Sequence, residues 1–365
     1  MTILGIETSC DETAAAIIEG EKDSKKVRLL SNTVASSLSL HAATGGIIPE
    51  VAAREQVKYI IPVIEKTLKE TTINDIDAIA VTIGPGLIGS LLIGVETAKT
   101  LAYVFNKPII PVNHLIGHIY ANFVSEIQNS KFKIQNSTVP EFPAIALIVS
   151  GGHTDLVLIT DHAAPAMPAH SAGGRGKIKW LGGTRDDAAG EVFDKIGRLL
   201  NLPYPGGPAI EKMAGLGNTN RFNLPKPLID SDDFDFSFSG LKTAAFREIL
   251  KLKEKNNDKL TETDIQDACA CLQKTIIDIL IYKTLKAAEK YKAKSILLGG
   301  GVAANQKLKE ELILNTKYQI PNTEIFVPQK FLCTDNAAMI ASAAFFNYKE
   351  VMWQKLTANP ELYFN

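Results

Sequence analysis

The sequence predicts an α/β protein whose strands pair mainly in parallel, and three stretches carry that prediction. Residues 3–18 (ILGIETSCDETAAAII) have the pattern of an apolar strand, a polar turn and a second apolar strand. Residues 144–159 (AIALIVSGGHTDLVLI) repeat this pattern about 140 residues later. Residues 295–312 (SILLGGGVAANQKLKEEL) give a strand, a glycine loop and a helix. The repeated hairpin predicts two related lobes, with the glycine loop closing over a nucleotide between them.

The other elements follow from the alternation of apolar strands with helical patterns. In the first half we expect a helix over 51–68, kinked at Pro62, a buried strand over 77–84, a helix over 86–105 and a strand over 107–112. Asn113 can cap the next helix, which carries His114 and His118. In the second half we expect helices over 187–200, 263–292 and 336–346, and a strand over 324–328.

Composition bounds the class of protein. The chain has 365 residues, is 45% hydrophobic and 22% charged, and has a formal net charge of −1, which is typical of a globular protein. Because the protein has no net positive charge, it would bind a nucleic acid through a local basic patch or with the help of a partner protein. The N-terminus lacks the pattern of a signal peptide. The longest apolar stretch, 87–105, is interrupted by Gly89, Gly94, Glu96 and Lys99. We therefore expect a cytoplasmic protein that does not enter a membrane.

The four cysteines are Cys10, Cys269, Cys271 and Cys333, and they form no CxxC pair. Cys269 and Cys271 lie two apart in a helical pattern, so they point to different faces. This spacing predicts buried free thiols rather than disulfides or a zinc cluster.

His114 and His118 lie four residues apart in an apolar stretch, PVNHLIGHIYANF. On a helix, residues i and i+4 share one face, so two imidazoles can bind one metal ion. No carboxylate stands between them, which argues against a metalloprotease of the H-E-x-x-H kind. A metal used as a Lewis acid or substrate anchor remains open, and so does a pair of buried histidines satisfied by backbone groups.

The segment GPGLIG (residues 84–89) matches the pattern GxGxxG, follows a strand and opens a helix. A dinucleotide site would need an acidic residue about 20 positions on, and that neighbourhood, YVFNKPII, has none. No Gly-Lys-Ser/Thr follows either, so the segment is not a Walker A loop. We expect a tight turn with close packing of helix on sheet.

Two segments have the composition of surface insertions. Residues 126–142 contain the polar repeat IQNSKFKIQNS, and residues 161–179 are rich in alanine, proline, glycine and histidine. Nothing in the second segment brings His162 and His170 together at a metal. We expect both segments to be solvated surface loops.

Nine motifs occur in the order of a known family: GIETSCDETAAAI, TGGIIPEVAAREQ, TIGPGLIGSLLIG, PVNHLIGHIYA, LIVSGGHT, DDAAGEVFDKIGRLLNLPYPGGPAIE, FSFSGLKTA, LLGGGVAAN and CTDNAAMIA. From residue 3 to about 348 the chain resembles the bacterial TsaD family, the universal tRNA threonylcarbamoyladenosine biosynthesis transferases formerly called glycoproteases. The resemblance implies an actin-like, sugar-kinase-like and Hsp70-like fold with two lobes and an interlobe cleft. We expect an N-lobe of residues 1–125 plus 335–365, with the partner surface, and a C-lobe of residues 126–334.

The resemblance also implies a reaction and its partners. A metal-assisted acyltransferase would move the threonylcarbamoyl group from threonylcarbamoyl-AMP to a tRNA and release AMP. The acceptor would be the exocyclic amine of the adenosine 3′ of the anticodon, in tRNAs that read codons starting with A. The expected protein partners are a degenerate paralogue (TsaB-like) and a small ATPase (TsaE-like).

Site residues carry over from the family motifs position by position. The metal ligands fall on His114, His118 and Asp335, one divalent ion per subunit, with Fe²⁺ expected and Zn²⁺ compatible with the same ligands. The implied substrate and nucleotide contacts are Val149, Ser150, Gly151, Gly152, His153, Asp194, Gly207 and Asn305, followed by Glu211, Ser9, Asp11 and Glu12. Together with Glu7, the last three line the first hairpin turn, where they would position phosphate, water or a second cation. No general base is assigned: His153 is a candidate, but a turn residue that shapes its loop is the favoured role. Asp187, Glu191 and Asp194 would form one acidic helix face.

Gln56 departs from the family, which often has histidine at that position, and this removes any acid–base role there. Two other functions fit the same fold class. A small-molecule kinase or ATPase would hydrolyse ATP without tRNA, and a non-enzymatic scaffold would tolerate loss of the metal site. A peptidase is disfavoured because the HxxxH pair lacks the catalytic glutamate.

Overall fold

The structure is a computed structural model that describes residues 1–21, 23–44, 46–125, 138–161 and 178–364. Most of the two expected insertions, 126–137 and 162–177 with His162 and His170, lies outside the described residues. The chain divides into two compact units. Unit 1 comprises Met1–Phe142, Ile159–Ile178 and Pro328–Asn365, and unit 2 comprises Pro143–Leu158 and Lys179–Val327.

The first part of unit 1 alternates strands and helices as its apolar pattern predicts. Its elements are β1 (Thr2–Glu7), β2 (Glu12–Glu19), β3 (Val27–Ser36), α1 (Leu38–Thr44), α2 (Pro49–Thr67), β4 (Ala78–Gly84), α3 (Ile88–Val104), β5 (Ile109–Asn113), α4 (His114–Tyr120) and β6 (Val124–Ser125). The six strands form one sheet in the order β5-β4-β1-β2-β3-β6. Pairing is antiparallel within β1-β2-β3 and parallel elsewhere.

Unit 2 contains a second sheet with long helices. Its elements are β7 (Ala144–Val149), β8 (Thr154–Ile159), β9 (Ile178–Gly183), α5 (Ala189–Leu199), α6 (Gly206–Ala214), α7 (Ser239–Lys255), α8 (Glu262–Lys290), β10 (Ser295–Gly299), α9 (Gln306–Gln319) and β11 (Glu324–Phe326). The strand order is β11-β10-β7-β8-β9, and β10 pairs in parallel with both neighbours. The chain then returns to unit 1 with α10 (Lys330–Cys333) and α11 (Ala337–Phe346).

Helix α11 packs closely on the central strands of unit 1 because both sides have small residues. A Cβ added to Gly5 of β1 would lie 2.4 Å from the carbonyl oxygen of Ala337 and 3.0 Å from Cβ of Ala341. Gly117 of α4 permits a similar approach, since a Cβ there would lie 2.8 Å from Cδ1 of Ile340. Short side chains therefore bring α11, β1 and α4 together, and Asp335, two residues before α11, comes close to α4.

The glycines of the GPGLIG segment form the expected tight turn between β4 and α3. A Cβ on Gly86 would lie 2.5 Å from the carbonyl oxygen of Ser9, and the same oxygen accepts a 2.8 Å hydrogen bond from Leu87 N. This turn thus supports the first hairpin turn, residues 8–11. No helix in the described parts of the chain combines the length and apolar character needed to cross a membrane.

Candidate metal and nucleotide sites

The two histidines of the HxxxH pair occupy the first turns of α4. The side chain of Asn113 caps this helix, with Oδ1 accepting from Leu115 N at 2.8 Å and Ile116 N at 3.3 Å. The rings of His114 and His118 lie on one face with centroids 4.7 Å apart. Both are buried, at 6% and 0% exposure, so any partner must come from within the protein or be a small ion.

Asp335 reaches the histidines from the turn between α10 and α11. Its Oδ1 lies 3.5 Å from Nε2 of His114 and 3.3 Å from Nε2 of His118. Asn336 fixes the turn, because its Oδ1 caps α11 through Met339 N at 3.0 Å and its Nδ2 donates to Thr334 O at 2.8 Å. One ligand atom from each of the three residues lies within 4.8 Å of the others.

The unsatisfied nitrogens of His118 test whether this cluster fits a metal. Both ring nitrogens are buried and neither has a hydrogen bond, although Nε2 lies close to the Asp335 carboxylate. Leaving a buried polar atom without a partner is costly, and a bound cation would satisfy it. Two imidazoles and one carboxylate suit a divalent transition metal and leave coordination positions open for substrate. The cluster therefore fits the ligand set of a substrate-anchoring metal site.

The metal-free histidines differ in their affinity for protons. Burial by itself lowers the pKa of His114, but the carboxylates of Asp335 and Glu7 outweigh it and raise the pKa to about 9. Burial lowers the pKa of His118, which also lies beside His114, and the Asp335 carboxylate only partly compensates. A metal ion must therefore displace a proton from His114 when it binds at neutral pH.

The first hairpin turn lies beside this cluster. Ser9 Oγ is 3.1 Å from Nδ1 of His114, and Oε2 of Glu7 is 3.0 Å from the same nitrogen. Burial and the neighbouring Asp335 and Asp11 carboxylates raise the pKa of Glu12 well above its ordinary value. Of the turn residues, Glu7 and Ser9 thus contact a predicted metal ligand directly, while Asp11 and Glu12 place two further carboxyl groups near Asp335.

In unit 2 the turn between β7 and β8 leaves backbone open to a ligand. The turn is closed by Ser150 N donating to His153 O at 2.8 Å, and His153 N donates to Ser150 Oγ at 3.2 Å. Gly151 and Gly152 are exposed, and a Cβ on either would have no heavy atom within 4 Å. Val149 is buried, and its carbonyl oxygen lies 2.4 Å from where a Cβ on Gly300 would be. The two glycine-containing loops after β7 and β10 are therefore neighbours.

The other predicted nucleotide residues join helix N-termini in unit 2. Asp194 Oδ1 accepts from Gly206 N at 2.7 Å, and burial raises the pKa of Asp194 even though that bond opposes it. Glu211 Oε1 accepts from Gln306 N at 2.6 Å. Asn305 caps α9 through Leu308 N at 2.9 Å and donates to Gln273 at 2.9 Å. Gly207 has open space where a Cβ would be, as does Gly301.

The expected acidic face of α5 is divided among different partners. Asp187 forms ion pairs with Lys242 at 2.6 Å and Lys195 at 2.9 Å, and Glu191 also pairs with Lys195. Asp194 instead faces the start of α6. The three carboxylates therefore do not converge on one ligand within the described structure.

Three structural roles were not predicted from the sequence. Thr82 Oγ1 donates to Glu7 at 2.6 Å, and Asn113 Nδ2 donates to Tyr363 O at 3.0 Å, so the C-terminal segment holds the cap of α4. Asp186 accepts from Phe238 N at 2.7 Å and Ser239 N at 3.1 Å and so fixes the start of α7. None of these contacts has a spacing signal, because each joins positions more than 50 residues apart in sequence.

The chain is similar to known proteins along most of its length. Residues 28–342 match the family model described as TsaD: tRNA N6-adenosine threonylcarbamoyltransferase. The protein of that name from Syntrophomonas wolfei is 44% identical over 359 residues, covering 98% of this chain and 95% of its own. The one from Moorella thermoacetica is 43% identical over 367 residues, covering 100% and 97%.

Among solved structures, full-length HypF in a phosphate- and nucleotide-bound form has a TM-score of 0.54 at 10% identity. The alignment covers 95% of this chain and 55% of that one. HypF from T. kodakarensis has a TM-score of 0.52 at 14% identity, covering 94% and 47%. At these identities the likeness shows a shared fold.

Proposed function

Since the chain belongs to the TsaD family of tRNA N6-adenosine threonylcarbamoyltransferases, we propose that it transfers a threonylcarbamoyl group to tRNA in the cytoplasm. The donor is threonylcarbamoyl-AMP. The acceptor is the exocyclic amine of the adenosine 3′ of the anticodon, in tRNAs that read codons starting with A. The amine nitrogen bonds to the carbamoyl carbon, the bond from that carbon to the phosphate oxygen breaks, and AMP leaves.

The observation that carries this proposal is the buried cluster of His114, His118 and Asp335 in a chain that matches the family along its length. These residues would hold one divalent ion, with Fe²⁺ as our first candidate and Zn²⁺ as the second. When bound, the ion supplies a Lewis acid that polarises the carbamoyl carbonyl as negative charge develops.

The chain's contribution to the AMP portion comes from loops of unit 2. The exposed amides of Gly151 and Gly152 are free of Cβ interference and can approach a phosphate closely. We assign Asp194 and Gly207 to the same portion, with Asn305 and Glu211 fixing the start of α9 nearby. Val149, Ser150 and His153 shape the phosphate-side turn rather than donating a proton.

The decisive experiment separates the metal side from the nucleotide side. His118→Ala removes one of three ligands, so metal content and transfer should fall steeply while AMP binding persists. Asp194→Asn keeps an acceptor for Gly206 N but removes the charge, so AMP binding should weaken. Metal content should persist, because Asp194 is not one of the three proposed ligands. Loss of one charge-assisted hydrogen bond costs roughly 1.5–3 kcal/mol, or about 10- to 150-fold in AMP affinity. The readouts are metal analysis, calorimetric AMP titration and nucleoside analysis of tRNA from a reconstitution with the protein partners.

Two outcomes would refute the proposal. Full tRNA modification by metal-free His118→Ala would favour the non-enzymatic scaffold. Robust ATP hydrolysis by the wild-type chain without tRNA or threonylcarbamoyl-AMP, together with no modified nucleoside in the reconstitution, would favour a kinase or ATPase. Lys251→Ala serves as a control, because this exposed residue pairs only with Glu248 on the same helix in the described structure.

We also propose a degenerate paralogue as a protein partner and the outer surface of α2 and α3 as its docking site. Val57 and Ile61 of α2 are 59% and 51% exposed, and Ile88 and Leu92 of α3 are 49% and 43% exposed. Each pair is spaced four apart, so each presents an apolar stripe, and extended exposed apolar surface marks interaction sites. Ile61→Asp should abolish co-elution with the paralogue, while Tyr318→Asp, an exposed position of unit 2, should not. Co-elution of Ile61→Asp at wild-type yield would refute this surface. The small ATPase is a further expected partner in the same reconstitution.

A further inference from the structure

Three hydrogen-bond donors converge on the two oxygens of Glu7, which is fully buried at the end of β1. Thr82 Oγ1 lies 2.6 Å from Oε2, and Nδ1 of His114 lies 3.0 Å from the same oxygen. The backbone N–H of Ser9 donates to Oε1. A carboxylate has acceptors only, so it is the one side-chain group of this size that accepts from all three.

This arrangement decides which nitrogen of His114 carries a proton. A neutral imidazole has one N–H and one lone pair, and the hydrogen bond at one nitrogen sets the role of the other. Facing an acceptor, Nδ1 must donate. When a metal ion displaces one proton from His114, the proton on Nδ1 is therefore the one retained, and Nε2, which lies 3.5 Å from Asp335 Oδ1, provides the lone pair for the ion.

The second histidine has no such support. Neither ring nitrogen of His118 makes a hydrogen bond in the described structure, so no acceptor there holds a proton on Nδ1 before an ion binds, while Asp335 Oδ1 lies 3.3 Å from Nε2. The two metal-binding histidines are therefore unequal, and His114 is the one prepared in advance.

We propose that Glu7 is a positioning residue that fixes His114 as an Nε2 metal ligand, with Thr82 and the Ser9 backbone fixing Glu7 in turn. The proposal rests on the metal site of the proposed function, but it concerns ligand orientation rather than turnover. Carboxylates that accept from a metal-bound histidine typically change metal affinity by 10- to 100-fold when replaced.

Glu7→Gln is the sharpest test because it changes no volume. If the glutamine oxygen faces Ser9 N–H, the NH₂ group faces Nδ1 and stabilises the tautomer with a proton on Nε2, which cannot bind metal. If the amide is reversed, its NH₂ group opposes the Ser9 N–H and the turn loses its anchor. In both orientations Zn²⁺ affinity should fall about 10- to 100-fold in a competition titration with a chromophoric chelator.

The matched control is Glu19→Gln, the same chemical change at a half-exposed residue on the neighbouring strand, where it pairs with Arg28. Its Zn²⁺ affinity should stay within twofold of wild type. Zn²⁺ affinity of Glu7→Gln within twofold of wild type would overturn the proposal. Neither measurement uses tRNA or turnover, so failure here is distinguishable from failure of the transferase assignment.

A second measurement needs no variant and therefore decides the matter even if Glu7→Gln fails to fold. The ¹⁵N spectrum of the histidine ring nitrogens of wild-type protein loaded with Zn²⁺ distinguishes a protonated Nδ1 from a metal-bound one. We expect His114 to have a protonated Nδ1 and a metal-bound Nε2. The signals of His114 are assigned by their loss in the spectrum of His114→Ala. Metal on Nδ1 of His114 would overturn the proposal.

Discussion

Replacing Gln56 by leucine should destabilise unit 1, because this buried amide ties α2 to the first hairpin turn. Gln56 is 1% exposed, and its Nε2 donates to the carbonyl oxygens of Cys10 and Glu12 at 3.0 Å and of Thr8 at 3.3 Å. The turn so held leads from Glu7 into β2 and contains Ser9, which contacts His114.

The magnitude follows from what each group loses. The three hydrogen bonds that the Gln56 amide group donates contribute roughly 1 kcal/mol each to the free energy of unfolding. Two effects offset this loss: Ser90 Oγ still donates to Cys10 O at 3.1 Å, and leucine removes the Gln56 Oε1, which is buried without a hydrogen bond. We therefore expect a net loss of about 2 kcal/mol in the free energy of unfolding of unit 1. With a urea dependence of about 2–3 kcal/mol per M, the midpoint should fall by about 1 M.

The two tryptophans allow unit 1 to be followed separately. Trp353 lies in unit 1 and Trp180 in unit 2, so in a Trp180→Phe background the fluorescence reports unit 1 alone. Gln354→Leu, the same change at an exposed residue of unit 1, should shift the midpoint by less than about 0.2 M. Gln56→His should fall between the two, because an imidazole replaces only part of the donor set. A midpoint for Gln56→Leu equal to that of the control would refute the reasoning.

Three further predictions concern other parts of the chain. Burial raises the pKa of Cys269 to about 12, so iodoacetamide at pH 8 should leave it unmodified in the folded protein, whereas all four thiols should titrate after denaturation. The Thr261 hydroxyl lowers the pKa of Asp264, so this carboxylate stabilises the fold above about pH 4 and less as pH falls; urea melts of Asp264→Asn should differ from wild type at pH 7 and converge in acid. Truncation after Ala358 removes the hydrogen bond from Asn113 Nδ2 to the C-terminal segment. Calorimetry should then show a lower melting temperature, and a chelator competition titration should show weaker Zn²⁺ binding.

Periodicity and turn chemistry predicted much of the fold. The α/β class with mainly parallel pairing is confirmed by two sheets, and the actin-like fold implied by the resemblance is confirmed by the family match and the likeness to HypF. Helices α2, α3, α5, α8 and α11 are confirmed to within about three residues at their ends, whereas α9 extends to Gln319, beyond the expected end at residue 312, since helix ends have weak sequence signals. Helix α7 was not predicted, because its exposed face is a mixed-charge pattern also typical of a solvated helix end.

The cluster of His114, His118 and Asp335 could be predicted only in part from spacing. His114 and His118 share a helix, so their proximity follows from the helical repeat. Asp335 is more than 200 residues away, and its approach depends on the small residues that let α11 pack on β1 and α4. Only the family resemblance, not the physics of the local sequence, connected it with the histidines.

The roles of the residues that support the cluster were even harder to predict from the sequence. Glu7, Thr82 and Gln56 are polar residues in apolar surroundings, and from sequence alone each could be a ligand, a catalytic group or a structural hydrogen-bonding residue. Their burial decides this, because a fully enclosed polar side chain must satisfy its neighbours before it can act on a substrate. Gln56 thus holds the first hairpin turn in place through its hydrogen bonds, a role that needs no acid–base group. Glu7 acts through His114, because it is fully buried and both of its oxygens already accept hydrogen bonds within the protein.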